Sequence, residues 1–100
     1  MQELFETIGR YETPNAGKYL IQLCKHFGHK VPAVVDGDEG RVSFDIGEAL
    51  LRSDDDALTV ILKAASDGAA LRLQAVIDDH LKRFAFREAF DGMTWTTPAV

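Results

Sequence analysis

The residues best equipped for chemistry lie in one short run, Cys24-Lys25-His26-Phe27-Gly28-His29-Lys30, joined far along the chain by His80, Arg83 and Arg87. Three chemistries compete for this set. Thiolate and imidazole are borderline-soft ligands suited to zinc or iron, which makes Cys24, His26, His29 and His80 a candidate metal set. A thiol beside Lys25, His26 and His29 would be an activated nucleophile if it were exposed. Ammonium and imidazolium groups attract negative charge, and a guanidinium grips carboxylate or phosphate through a planar fork. Lys25, His26, His29, Lys30, Arg83 and Arg87 are therefore a candidate anion site, with Lys18 and Lys82 nearby.

Spacing weighs these readings. Cys24 and His26 are two positions apart, so on a helix they diverge by about 200°. His26 and His29 converge only if the helix persists past Gly28. The sequence contains neither CxxC nor HExxH. Cys24 shares an apolar stripe with Leu20 and Phe27, the setting of a buried structural cysteine. His80 falls between Ile77 and Phe84, where a histidine is usually held by a hydrogen bond in the core. Charge segregation favours the anion site: residues 14–35 contain no Asp or Glu, yet carry Lys18, Lys25 and Lys30. Cations are favoured at helix C-termini in any case. The acids lie elsewhere, at Asp36, Asp38, Glu39, Asp54-Asp55-Asp56 and Asp78-Asp79. The triple aspartate reads as a solvated turn, and Asp36-Gly37-Asp38-Glu39-Gly40 lacks the twelve-residue calcium-loop pattern.

The elements that must position these groups are legible from periodicity. Phe5, Thr7, Gly9 and Tyr11 alternate with charged and apolar neighbours, predicting a first strand with Phe5 and Tyr11 inward. Thr13 as a cap and Pro14 at the first helical position open a helix. Its stripe is Ala16, Leu20, Leu23, Cys24 and Phe27, and Gly28 closes it. Strands follow at Val31–Val35, through Val42, Phe44 and Ile46, at Glu48–Arg52, and from Leu58 to Ala64. Ser66 caps a second helix with the stripe Leu73, Val76, Ile77, His80, Leu81 and Phe84, running to about Phe90 and stopped by Gly92. The segment around Trp95 reads as a tail or a short edge strand. The order β-α-β-β-β-β-α, with every strand alternating, predicts an α+β two-layer sandwich: an antiparallel sheet with two helices on one face. By topology it resembles the TATA-binding-protein-like fold.

Size and composition narrow the classes. One hundred residues, 46% of them apolar and 27% charged, suit a single domain over residues 1–100 with one core. The chain is too short for a (β/α)8 barrel, which takes about 250 residues. Eleven basic against sixteen acidic residues give a net charge of −5, which opposes nucleic-acid binding. A lone cysteine permits no intrachain disulfide and fits a reducing compartment. The first residues lack the basic start and apolar run of a secretory signal, and no stretch approaches eighteen apolar residues, so the expectation is a cytoplasmic protein that does not span a membrane. Ile8, Val34 and Ile61 on the sheet's outer face leave both a monomer and a homodimer open.

Two runs carry a family resemblance. Thr13-Pro14-Asn15-Ala16, Lys18-Tyr19-Leu20, Gln22 to Phe27, His29 and Lys30 form the first, and His80-Leu81 with Arg83 to Glu88 the second. Gly40 and Phe44 match the strand motif between them. Over about residues 9 to 95 the chain resembles the bacterial domain of unknown function 2218. The resemblance implies no established activity. It does imply proximity to iron handling, because some relatives occur beside or fused to flavin-dependent ferric-siderophore reductases. The expected function is thus a small binding or accessory module, not an enzyme, whose basic patch meets an anionic ligand such as a ferric siderophore, or the reductase itself. The alternative is a small metal-binding or redox protein built on Cys24, His26, His29 and His80 with zinc or iron.

Overall fold

A computed structural model describes residues 5–97. The N-terminal stretch read above as lacking a signal lies, through residue 4, outside the described residues. The elements are β1 (Phe5–Glu12), α1 (Ala16–Phe27), β2 (Ala33–Asp36), β3 (Glu39–Phe44), β4 (Gly47–Ser53), β5 (Ala57–Ala64), α2 (Asp67–Phe84), a 3-10 turn (Phe86–Glu88) and β6 (Thr94–Thr96). Six antiparallel strands make one sheet in the order β2-β3-β4-β5-β1-β6. The α+β architecture and the element order are those the sequence predicts, with the Trp95 segment realised as an edge strand.

Alternation along the strands sends the buried apolar side chains to one side. Val42, Ala49, Leu51, Leu58, Val60, Leu62 and Ala64 are buried there. The stripe of α1 (Leu20, Leu23, Cys24, Phe27) and that of α2 (Leu73, Ile77, Leu81) close over them as one continuous core. Small residues set the approach of each layer. A Cβ on Gly40 would stand 2.7 Å from Cys24 Sγ, so α1 seats on β3 only because that position has no side chain. A Cβ on Gly9 would stand 2.6 Å from the Trp95 ring, which covers β1 from the edge strand.

Local signals act as expected at several ends. Ser66 Oγ accepts the Ala69 N–H at 3.1 Å and caps α2. Gly37, at φ 63°, makes the two-residue turn between β2 and β3. Asp54 Oδ1 accepts two backbone N–H groups, from Asp56 and Ala57, so the triple aspartate is a turn.

Four expectations need correction. β2 starts at Ala33, not Val31, because Lys30 and Val31 donate to the Phe27 carbonyl and prolong the end of α1. Helix α1 starts at Ala16, after Pro14, and Thr13 Oγ1 accepts from Asn15 N instead of capping a helical N–H. Phe5 shares the inner face but sits at the strand's end, 40% exposed. Helix α2 ends at Phe84, six residues short of Phe90.

The cause of that last difference is Glu88. Its carboxylate accepts hydrogen bonds from Tyr11 Oη and Thr13 Oγ1, both at 2.7 Å, from Asn15 Nδ2 at 2.8 Å, and from Tyr19 Oη. A continuing helix would not deliver the carboxylate to four donors on β1 and the start of α1. The chain instead tightens into the 3-10 turn, and Ala89 follows in the left-handed region at φ 55°. Desolvation opposes ionisation of Glu88, but its hydrogen bonds, led by that from Tyr19, outweigh it and hold the carboxyl at about 2. The same contact, after burial, pushes Tyr19 up to about 12 and Tyr11 higher still.

Two predictions follow from these contacts. A carboxyl lowered on folding contributes stability above its unfolded value that is lost as pH falls towards the folded one. The chain should therefore lose stability between about pH 4.5 and pH 2, and Glu88→Gln should flatten that loss while costing about 1–3 kcal/mol at neutral pH, as read from urea melts at several pH values. Gly9→Ala should push the indole of Trp95 aside, cost about 1–3 kcal/mol and shift the emission of the single tryptophan to the red.

Candidate functional site

The end of α1 and the last turns of α2 lie side by side, and their seam is where most of the chemically equipped residues meet. His26, on the exposed flank of α1, and His80, half-buried on α2, have ring centroids 4.7 Å apart. Phe27 lies 4.8 Å from the His80 ring, and Phe84 lies 6.0 Å from His26. The spacing of i and i+3 or i+4 positions explains the grouping: His80, Arg83 and Phe84 share one face of α2 as His26 and Lys30 follow one side of α1.

The seam has a defined proton arrangement. His80 Nδ1 is 2.7 Å from the carbonyl oxygen of Val76, which can only accept, so Nδ1 carries a hydrogen. His26 is held below the ordinary histidine range. Desolvation is the leading cause, followed by electrostatic repulsion from the basic groups His80, Lys30, His29 and Arg83. Each side chain that lowers it is thus a basic one. Among the described residues the ion pairs are Arg41–Glu48 and Arg52–Glu39, on the far side of the sheet, so Lys25, Lys30, Arg83 and Arg87 have no carboxylate partner.

The expected residues divide. His26 and His80 meet at the seam, and Lys30, His29 and Arg83 stand near enough to act electrostatically on His26. Lys25 and His29 also border a groove of about 420 Å³ between α1 and β2. Arg87 leaves the group: the early end of α2 puts it on the 3-10 turn, its guanidinium 5.6 Å from the Phe86 ring centre. The metal set does not assemble. Cys24 points into the sheet beside Gly40, burial pushes its thiol up, and no three Cys, His, Asp or Glu side chains among the described residues stand close enough to share an ion. Cys24 is 2% exposed, so the geometry gives no activated nucleophile either.

The sequence reading missed two features. One is Glu88, whose signal was a carboxylate in phase with the buried stripe Ile77, Leu81, Ala85, a placement that demands several donors. The other is a groove of about 690 Å³ on the outer face of the sheet, where Leu50 and Ile61 form an apolar floor between Arg41 and Arg52. Both arginines are already paired there with glutamates.

The thiol gives a direct check. Cys24 should react with an aromatic disulfide reagent at least about a hundredfold more slowly in the folded chain than in urea, since thiolate formation and access are both suppressed by burial. A fast native reaction would show an open thiol.

Comparison with known proteins places the chain by kind. It is similar over 92% of its length to the NMR structure of PA4090 from Pseudomonas aeruginosa, covering 95% of that chain at 28% identity with a TM-score of 0.77. No curated protein matches it significantly. No helix among the described residues is long and apolar enough to cross a membrane. The family model described as an uncharacterized protein conserved in bacteria, DUF2218, matches residues 9–96, and the chain belongs to that family.

Proposed function

We propose that this chain is a binding or accessory module that holds an anion at the α1–α2 seam. The supporting observation is uncompensated charge. In a protein of net charge −5, Lys30, His29, Arg83 and His80 stand near His26, and Lys30 and Arg83 have no carboxylate partner among the described residues. A guanidinium and an ammonium beside two imidazoles suit an oxyanion or a carboxylate: Arg83 as the fork, Lys30 as the point charge, His26 as a donor once protonated. The single cysteine, which has no partner for an intrachain disulfide, agrees with a reducing, cytoplasmic setting.

The family resemblance adds two specific candidates: a ferric siderophore as the anion, and a flavin-dependent ferric-siderophore reductase as the partner surface. The seam selects for negative charge and offers nothing selective for iron. A ferric siderophore therefore belongs in the same titration as simple anions.

Pyrophosphate and citrate are the first ligands to titrate. Lys30→Ala with Arg83→Ala should weaken binding by about tenfold or more, because charge-assisted hydrogen bonds contribute roughly 1.5–3 kcal/mol each, while the melting transition stays in place. Since His26 has a lowered pKa, it is neutral at pH 7 and gains its proton only below the usual histidine range. A bound anion favours the protonated ring, so affinity for sulfate, whose charge is constant across this range, should rise as pH falls from 7 to 5, and His26→Gln should reduce that rise. Unchanged affinity in the double variant, or no binding of either anion at low salt, overturns the reading.

A further inference from the structure

The sheet order leaves β2 with no strand on its outer side among the described residues. The pairing of β2 with β3 shows which of its groups are open. Ser43 N donates to the Pro32 carbonyl, so Pro32 and Ser43 are a hydrogen-bonded pair. Partners alternate along an antiparallel ladder, so Val34 with Arg41 and Asp36 with Glu39 are bonded pairs as well. The N–H and C=O groups of Ala33 and Val35 therefore point away from β3, towards the free edge. Their side chains fall on the helix side of the sheet, and both line the groove between α1 and β2.

The groove has two ends of different character. At one, Gly28 brings the end of α1 against Ala33, a Cβ there lying 3.6 Å from Ala33 Cβ, and Lys25 and His29 stand at the wall. At the other, Gly40, opposite Val35, meets Leu20 and Cys24, and the open surface is Ile21, 52% exposed, and Val35, 43% exposed. Ala33 and Val35 are two residues apart, a separation of about 6.6 Å along a strand, which is also the repeat of side chains on one face of an added strand.

We propose that β2 is the docking edge for an extended, acidic segment of a partner protein, which adds to the sheet as a further strand beside α1. Main-chain hydrogen bonds to Ala33 and Val35 supply affinity, and the groove reads every second side chain. The segment places an apolar residue against Ile21 and Val35 and, two positions away, an Asp or Glu against Lys25 and His29. Charge decides the occupant. Lys25 and His29 stand at the Ala33 end of a groove that has no carboxylate among its lining residues, and an Asp or Glu of an added strand neutralises them. Arg83 takes no part, so this edge is independent of the anion seam.

The test is a titration of the 15N-labelled full chain with a pool of short peptides that alternate threonine with a valine and a glutamate two positions apart. A matching pool carries lysine for glutamate. The expected result is a shift of the Ala33 and Val35 amides, at least tenfold weaker with the lysine pool and at least tenfold weaker in Lys25→Glu. Val35→Pro removes the outward N–H without touching the bonds to β3, and should abolish the response. Should that variant not fold, Lys25→Glu decides alone. Arg83→Ala should leave the response unchanged. Silent Ala33 and Val35 amides, equal response to both pools, or a dimer of the chain alone that Val35→Pro abolishes would overturn the proposal.

Discussion

Both helices have to share one face of the sheet, because alternation puts the large buried side chains of β3, β4 and β5 on that side. Two helices laid side by side over six strands must touch along a line, and that contact is the seam. The stripes on α1 and α2 are fixed by burial, so the residues flanking them are fixed too. His26 and Lys30 come to the seam because Phe27 must go down, and His80 and Arg83 come because Ile77 and Leu81 must go down. The cationic cluster follows from the packing of apolar residues elsewhere on the same helices.

The seam would not hold its place without close approach and a firm end. Gly40 lets α1 settle until Cys24 Sγ meets the strand, and any side chain there would lift the helix. Glu88 fixes the other helix. One carboxylate draws together Tyr11, Thr13, Asn15 and Tyr19, which come from β1, the first loop and α1. Asp78 does similar work, accepting from Met93 N at 3.0 Å and from the Trp95 indole at 2.9 Å to hold β6 under α2. Two acids on the second half of the chain thus tie down the first strand and the last.

Much of this was legible in the sequence, and the exceptions share a physical cause. Strand alternation, the α1 stripe and the Ser66 cap are local signals, and burial obeyed them. The anion set was mostly legible because helical periodicity places His80 and Arg83 near each other on one helix, and Gly28 fixes where the other ends. Arg87 was misplaced because the chain leaves the helix for Glu88, a choice made by donors 69 to 77 residues away in sequence. The open edge of β2 was equally hidden. Which strand ends a sheet is decided by how all six pair, and Ala33–Asp36 reads locally like any short strand.

Net charge misleads about such a surface. Five surplus acids make the chain as a whole unattractive to anions, yet charges beyond about 8 Å are largely screened at physiological ionic strength. What an incoming group feels is the local set. Beside His26 that set is wholly basic, and desolvation together with those neighbours lowers the pKa of the histidine itself. Protonation of His26 would add one more cation to an unpaired group, at a cost that Lys30 and Arg83 raise and an anion would remove. The same field reaches round the end of α1 through His29 to the groove at β2, so the helix C-terminus presents positive charge both to its neighbouring helix and to the open strand.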